Sequence, residues 1–265
     1  MLLLDAIENG ATVYDLGQPL DANTPCSPNH PGFRMALIRR HGDAVRPSGL
    51  SGANELISTG GHVGTHVDAL CHVALHGKLH GGVDAHEASV GGRFTVHGID
   101  TVPPILARGV LFDVPRALGM ERLDAGYGVT ADDLEKAADV ELRPGDVALI
   151  RTGWPQLWHD AEAFVGRSTG VPGIDTTGAD WLLDRGIRAA GGDTIAFEQI
   201  HASTGHGQLP VHQRLLFDAG VNIIEVLDLE GIAAADVTEF LFVCSPLKIV
   251  GGTGSPARPL AVVGA

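Results

Sequence analysis

Short runs of aliphatic and β-branched residues, separated by turn residues, recur along the chain and predict strands. The predicted strands are Thr12–Leu16, Met35–Ile38, Glu55–Ser58, Val110–Val114, Val147–Arg151, Val221–Glu225, Phe240–Val243 and Lys248–Val250. One helix is predicted to begin at Thr130, a capping residue. Two more are predicted over Thr177–Arg185 and Pro210–Ala219, because a glycine follows each of these segments. Strands mixed with a few helices indicate a layered α/β or mixed α+β domain.

The chain has 265 residues and contains no internal repeat and no long Gly/Ser linker, so we expect one domain over residues 1–265. Hydrophobic residues make up 44% and charged residues 19%, which is typical of a globular protein. The net charge of -14 repels phosphate backbones and anionic lipid, so we expect no nucleic-acid partner and no membrane partner.

Three widely spaced cysteines do not form a disulfide framework, and they fit a reducing compartment. The opening Met-Leu-Leu-Leu is followed at once by Asp5, without the basic region of a signal peptide. No apolar run approaches the roughly 18 residues of a membrane helix. These observations predict a cytoplasmic protein.

The segment from Gly60 to His72 contains two histidines four residues apart, His62 and His66, and then Asp68. Two imidazoles and a carboxylate suit Zn²⁺, Mn²⁺ or Fe²⁺. In a regular strand the two histidines would lie roughly 13 Å apart, too far for one ion with bonds of about 2.1 Å. The chain must therefore coil, and Gly64 permits it. A histidine by itself is more often a surface or core residue, but packing does not explain a coiled His-rich loop that contains an acid.

The pattern His-x-Gly-Thr-His-x-Asp at His62–Asp68, followed by His72, resembles the signature of the cyclase-like metal hydrolases. That family includes bacterial kynurenine formamidases and isatin hydrolases. Leu70 stands where the family pattern has proline, a change that keeps every chemical group. Val13–Leu20 is similar to the opening strand of the family, and residues 210–225 are similar to its later His and Glu elements.

Chain geometry independently supports a pairing of His212 with Glu225. A helix of about seven steps from His212 to Ala219 advances roughly 10 Å, and a strand of four steps from Val221 to Glu225 returns roughly 13 Å. The two side chains can therefore lie at one level. Burying this carboxylate without a cation would be costly. The alternative is that Glu225 is a strand end that faces solvent.

The resemblance implies a swivelling β/β/α-like domain with a mixed sheet flanked by helices, assembled as a homodimer or homotetramer. It implies one or two divalent ions, Mn²⁺ or Zn²⁺, per subunit, and His72 as the general acid/base. Its implied metal ligands are His62, His66 and Asp68 for the first ion, and Asp68, His212 and Glu225 for the second. The segment Pro25–Phe33 is a candidate to reach the pocket of a neighbouring subunit.

The implied activity is hydrolysis of an amide, formamide or lactam C–N bond in a small cyclic or aromatic substrate by metal-activated water. Isatin and N-formylkynurenine are the two named candidates. The chain lacks a Gly-x-Ser-x-Gly elbow, a phosphate-binding P-loop and a Gly-x-Gly-x-x-Gly fingerprint. A metal-dependent lyase or cyclase that stabilises an enolate is one alternative. A non-catalytic metal-binding protein is another, although it would not require His72.

Several other residues have two interpretations. Cys71 is adjacent to His72, but a buried structural cysteine is more common than a nucleophile at such a position. The aromatic residues Phe33, Trp154, Trp158 and Trp181 either line a substrate pocket or pack in the core. His206 is an extra group near the site or a loop histidine between two glycines, and Asp193 orders the site or closes a turn.

Overall fold

A nine-stranded mixed sheet organises the molecule in a computed structural model that describes Glu8 and residues 10–264. The prediction of no signal peptide depends on residues 1–7, which lie outside the described residues. The strands of the nine-stranded sheet are β1 Ala11–Asp15, β4 His66–Asp68, β7 Ile105–Asp113, β9 Val147–Arg151, β11 Ala189–Gly192, β12 Asn222–Glu225, β13 Glu239–Cys244, β14 Gly254–Pro256 and β15 Leu260–Gly264. Their order across the sheet is β1-β15-β13-β7-β9-β11-β12-β4-β14.

Three two-stranded sheets and several short helices complete the described fold. The small sheets pair β2 Arg34–Arg39 with β3 Asn54–Ser58, β5 Ser89–Val90 with β6 Arg93–Phe94, and β8 Gly128–Val129 with β10 Gly173–Ile174. The α-helices are Ala85–Ala88, Val114–Leu118, Ala131–Ala137, Ala161–Val165, Thr176–Asp184, Pro210–His212 and Glu230–Ala234. The 3₁₀ helices are Leu70–His72, His80–Gly82, Ile99–Thr101, Trp154–Leu157 and Gly205–Gly207, and residues Gln213–Ala219 form a π-helix.

The centre of the sheet is parallel and is covered on both faces. Strands β7, β9, β11 and β12 pair in parallel, whereas β1, β15, β13, β4 and β14 join by antiparallel pairing. Successive side chains of β9 alternate between two hydrophobic clusters, with Leu149 in one and Ala148 and Ile150 in the other. Because strand side chains point to opposite faces in turn, the two clusters cover the two faces of the sheet.

The mixed α/β class predicted from the sequence is confirmed, and most predicted strands are present with shifted ends. The prediction of a strand at Lys248–Val250 is wrong: this segment is an exposed loop, because β propensity without a neighbouring strand does not form a sheet. The prediction missed β11, whose residues are Ala-Ala-Gly-Gly. A side chain at Gly191 would press against Leu149 and Leu227, so close packing explains this composition.

The helix predicted at Pro210–Ala219 is present but is not a uniform α-helix. After the α-helical turn Pro210–His212 the chain widens into the π-helix Gln213–Ala219. It ends at Gly220, which has a left-handed φ of 69°. Insertions of this kind in helices are frequent at functional sites. No helix in the described part of the chain is long and apolar enough to cross a membrane.

Candidate metal centre

The His62–Asp68 segment coils as the spacing predicted. Gly64 adopts a φ of 63°, and the chain then enters the short strand β4. Strand β4 pairs with β12 so that His66 lies directly opposite Glu225. The coil reduces the separation of the His62 and His66 rings to 5.2 Å between centroids. The local conformation therefore places both histidines beside one carboxylate.

All five residues that the resemblance implied as metal ligands meet in one buried cluster. Asp68 Oδ1 lies 2.8 Å from His62 Nδ1 and 3.4 Å from His66 Nε2. Glu225 Oε2 lies 3.3 Å from His66 Nε2, and Glu225 Oε1 lies 3.2 Å from His212 Nε2. His212 Nε2 also lies 3.6 Å from Asp68 Oδ2. The proximity of His212 and Glu225 that chain geometry predicted is thus confirmed, and Glu225 is buried rather than facing solvent.

The opposite charges of the cluster stabilise one another. Burial opposes protonation of His66, but the adjacent carboxylates of Asp68 and Glu225 outweigh it and raise the pKa of His66 to about 10. Burial likewise opposes protonation of His212, and the neighbouring carboxylates raise its pKa well above the ordinary value. Burial alone would raise the pKa of Asp68, but the surrounding imidazoles hold that pKa well below its usual range. The protein without a cation therefore balances its carboxylates with imidazolium groups.

Three buried polar atoms at the centre of the cluster have no hydrogen-bond partner among the described residues: His66 Nε2, Asp68 Oδ2 and Glu225 Oε1. Buried polar atoms are normally paired, so orphaned atoms require an explanation. Ligand atoms of His66, Asp68 and Glu225 lie within 4.8 Å of one another, as do those of His62, Asp68 and His72. Imidazole nitrogen and carboxylate oxygen are ligands for Zn²⁺ and Mn²⁺, so these residues fit divalent cations.

His62 differs from His66 because both of its ring nitrogens already have partners. Nδ1 lies 2.8 Å from Asp68 Oδ1, and Nε2 lies 2.9 Å from the Thr253 hydroxyl. His66 instead has Nδ1 2.7 Å from the Gly64 carbonyl oxygen, which leaves Nε2 for a cation. The sequence contained no signal for Thr253, because it lies 191 residues from His62.

His72 lies at the edge of the cluster, at the end of the 3₁₀ helix Leu70–His72. Its ring stacks on His62 at 4.0 Å and lies 6.1 Å from the His212 ring. Burial lowers the pKa of His72 to about 4, against the opposing charge of Asp68. His72 is therefore neutral at neutral pH and can accept a proton.

Glu198 is a site residue that the sequence analysis missed. It is buried, and its Oε1 lies 2.6 Å from His212 Nδ1 and accepts the backbone N–H of His212 at 2.9 Å. A carboxylate on the far nitrogen of an imidazole fixes the ring so that the other nitrogen faces the metal. Glu198 lies outside every recognised motif, and the only sequence signal was an acid directly after the apolar residues Ile195–Phe197.

The backbone directly after Glu225 is in an unusual conformation. Val226 has a φ of 58°, which is rare for a β-branched residue. The Thr65 hydroxyl donates to the Val226 carbonyl at 2.6 Å, and the Val226 N–H donates to the Thr194 carbonyl at 3.1 Å. Contacts from the His62–Asp68 segment thus hold the chain where it leaves the cluster.

A cavity of about 170 Å³ opens directly beside the cluster. Its lining includes Ser27, His30, His72, Ile195, His206 and His212. Ser27 and His30, from the segment Pro25–Phe33, line the cavity of their own chain. The His30 ring stacks on His62 at 5.1 Å, which explains this placement. A contact of this segment with the pocket of a neighbouring subunit stays a prediction. His206 proves to be a cavity residue rather than a remote loop histidine.

The remaining candidate residues serve the scaffold. Trp154 and Trp158 pack in a buried cluster, and Trp181 packs edge-on against Phe112. Asp193 is fully buried, and it accepts hydrogen bonds from the Thr152 N–H, the Thr152 hydroxyl and the Gly153 N–H. Burial raises the pKa of Asp193 to about 7, against these donors.

Cys71 has the properties of a structural thiol. Its Sγ lies 3.6 Å from the Gly252 carbonyl oxygen, and burial raises its pKa to about 11. A thiol that does not ionise at neutral pH is a poor nucleophile. The interpretation of Cys71 as a buried structural cysteine is therefore supported.

Comparison with known proteins gives the same class as the fold and the site. Residues 14–199 match the model of the Cyclase family, which is 186 of the 265 residues. The chain therefore belongs to the Cyclase family. His212 and Glu225 lie beyond the matched residues, so their place in the site rests on the structure.

Among curated proteins, the chain is similar to an isatin hydrolase from Roseibium aggregatum, at 29% identity over 145 residues. The match covers 53% of this chain and 54% of the relative, so it spans about half the length of that protein. A crystal structure of a novel cyclase superposes with a TM-score of 0.87 at 30% identity, over 98% of this chain and 91% of that one. Isatin hydrolase A from Ralstonia solanacearum superposes with a TM-score of 0.76 at 25% identity, over 99% and 98% of the two chains.

Proposed function

We propose that this chain is a metal-dependent hydrolase that cleaves an amide, formamide or lactam C–N bond in a small cyclic or aromatic substrate. The observation that supports it most strongly is the set of three orphaned, buried ligand atoms on His66, Asp68 and Glu225. The similarity to isatin hydrolases makes isatin, a cyclic amide, the first substrate to test. N-formylkynurenine, a linear aromatic formamide, is the second.

The cluster is proposed to hold Mn²⁺ or Zn²⁺ in two groups that share Asp68: His62 and His66 on one side, and His212 and Glu225 on the other. A divalent cation, when bound, polarises a carbonyl oxygen and lowers the pKa of water. His62 must release its hydrogen bond to Asp68 or to Thr253 before one of its nitrogens can act as a ligand.

His72 is proposed to move the proton. Its neutral imidazole, between His62 and the cavity, accepts a proton from the attacking water and donates it to the leaving nitrogen. The cavity of about 170 Å³ limits the substrate to a small molecule. Ile195 and Leu209 form an apolar wall of the cavity for a ring, while His30 and His206 supply polar contacts.

The test is hydrolysis of isatin and N-formylkynurenine by protein stripped with a chelator and then reloaded with Mn²⁺ or Zn²⁺. We expect turnover only after reloading, with uptake of ¹⁸O from labelled water into the carboxylate product. His72→Ala should bind the cation but lose turnover, whereas His86→Ala, at an exposed histidine, should change neither.

Three outcomes would contradict the proposal. Full turnover in stripped protein would exclude metal dependence, and product without solvent ¹⁸O would favour the lyase alternative. Equal turnover by the His72→Ala variant would remove the proposed proton carrier.

A further inference from the structure

His62 is held by residues 252–254, a glycine-rich segment close to the far end of the chain. Thr253 Oγ1 lies 2.9 Å from His62 Nε2. A side chain at Gly254 would press on the His62 ring, so a glycine at this position lets the backbone lie against that ring. The His62 ring therefore has a hydrogen-bond partner at Nε2 and the main chain packed beside it.

Residues 252–254 are anchored to the strand that carries Asp68. The Ala69 N–H donates to the Thr253 carbonyl at 2.9 Å, and Gly254 pairs with Asp68 where β14 joins β4. These main-chain contacts fix the Thr253 hydroxyl relative to the Asp68 carboxylate. A substitution of the Thr253 side chain leaves them in place, because they use backbone atoms only.

The three histidines of the implied ligand set each have one ring nitrogen turned towards Asp68 and the other bound elsewhere. For His66 and His212 the nitrogen that faces Asp68 is Nε2, at 3.4 Å and 3.6 Å, and Nδ1 is bound by a neighbouring group. For His62 the two nitrogens have exchanged roles. Its Nδ1 lies 2.8 Å from Asp68 Oδ1, and its Nε2 lies beside the Thr253 hydroxyl.

A hydroxyl suits this position because it can both donate and accept a hydrogen bond. The Asp68 carboxylate accepts from His62 Nδ1, so in the neutral ring Nε2 is an acceptor and the Thr253 hydroxyl donates to it. When Nδ1 offers its lone pair to a cation, the single ring proton lies on Nε2, which then donates to the same hydroxyl. His62 therefore keeps one partner and one ring orientation in both states.

We propose that Thr253 is a positioning residue that holds His62 by Nε2 and so makes Nδ1 the nitrogen that this histidine offers to the cation. The hydrogen bond that His62 releases is then the one to Asp68, and the one to Thr253 is kept. A neutral hydroxyl is not among the usual Zn²⁺ ligands, which are thiolate, imidazole and carboxylate. The proposal rests on the cation centre of the proposed function, and it does not depend on the substrate or on His72.

Calorimetric titration of the chelator-stripped full chain with Zn²⁺ tests the role of the hydroxyl. Thr253→Val keeps the branched shape of the side chain without the hydroxyl, and it should bind Zn²⁺ about tenfold more weakly than the wild type, as expected for a partner that orients a metal-bound histidine. Thr253→Ser, which has the hydroxyl, should regain the wild-type affinity. The matched control is Thr169→Val, which removes an exposed hydroxyl that donates to the Gly170 carbonyl and should bind as the wild type does.

Nuclear magnetic resonance of ¹⁵N-labelled histidine rings gives a second readout that does not depend on turnover. Zn²⁺ is diamagnetic, so the ring nitrogens of the loaded wild type can be observed directly. His62 should carry its proton on Nε2 and bind Zn²⁺ through Nδ1, whereas His66 and His212 should bind it through Nε2. The His62→Gln variant assigns the His62 signals by their loss.

The outcomes separate this proposal from the proposed function. Wild-type affinity in Thr253→Val, an equal loss of affinity in Thr253→Ser, or coordination of His62 through Nε2 would overturn the role of Thr253 and leave the proposed function standing. A wild type that binds no Zn²⁺ would overturn both. A wild type that gives the expected Zn²⁺ affinities and spectra but hydrolyses no amide would contradict the proposed function alone.

Discussion

The two halves of the candidate metal centre are built in different ways. In the near half, His62, His66, Asp68 and His72 lie within eleven residues, and the Gly64 carbonyl contacts the Nδ1 of His66 at 2.7 Å. In the far half, His212 and Glu225 come from a helix and a strand, and His212 is oriented by the Glu198 carboxylate. Asp68 belongs to both halves.

This difference separates two means of orienting a ligand. The near half depends on the backbone conformation of Gly64, because the group that orients His66 is the Gly64 carbonyl. No side-chain substitution can remove a backbone carbonyl. The far half depends on the charge of the Glu198 side chain, which one substitution can neutralise. The two halves should therefore respond to different substitutions, and the four predictions below use this contrast.

Asp68→Asn should have the largest effect, because this residue contacts His62, His66 and His212 together. We expect turnover to fall by at least about 1,000-fold, which is about 4 kcal/mol of transition-state stabilisation. Cation titration by calorimetry should show the loss of binding in both halves. Asp84→Asn, at a helix cap outside the cluster, is the control, and wild-type binding by Asp68→Asn would contradict a shared carboxylate.

Glu198→Gln should weaken only the far half. Loss of a carboxylate that orients a metal-bound histidine typically costs about 10–100-fold in metal affinity. We expect this loss in calorimetric titrations, with an unchanged circular dichroism spectrum and unchanged binding by Glu87→Gln, an exposed acid. If Glu198→Gln bound the cation as tightly as the wild type, Glu198 would not be a positioning residue.

A change in pH should affect the cation-free and cation-loaded proteins differently. The folded-state pKa of His66 is raised to about 10, so its imidazolium stabilises the cation-free fold fully below the unfolded pKa of about 6.5. That stability is lost as the pH rises from about 6.5 through about 10. A cation displaces the proton, so its affinity should rise by about tenfold per pH unit for each proton released.

Thermal unfolding and calorimetry in buffers of different ionisation enthalpy measure these two effects. Cation binding that does not depend on pH, with no proton released into the buffer, would show that His66 is already neutral in the cation-free protein.

Gly64→Ala should have the smallest effect, and it tests the near half. The φ of 63° strains an alanine, and its Cβ would press on the Leu20 side chain. We expect a loss of about 1–2 kcal/mol, which lowers Tm by roughly 2–8 °C. Gly77→Ala, at a φ of 74° with open space around it, has the strain without the contact and should lower Tm less. Equal shifts would show that the Leu20 contact does not matter.

The near half and the class of the protein were predictable from the sequence. The spacing of His62, His66 and Asp68 required a coil at Gly64, and the structure has that coil. The helix and strand lengths also predicted that His212 and Glu225 meet, because those lengths follow from the rise per residue. The glycine-rich strand β11 was not predicted. Its composition is explained by close packing of Gly191 against Leu149 and Leu227, which lie in other segments of the chain.

The sequence by itself thus determined which side chains form the near half of the cluster, because residues a few positions apart are held together by local backbone geometry. Only the tertiary structure decided that Glu198 orients His212 and that Thr253 contacts His62, since both pairs meet through the packing of distant segments. It alone decided that His30 lines the cavity beside the cluster and that strands β2 and β3 are exposed. Apolar side chains in a strand pattern look alike in sequence, and only the surrounding elements determine which of them are buried.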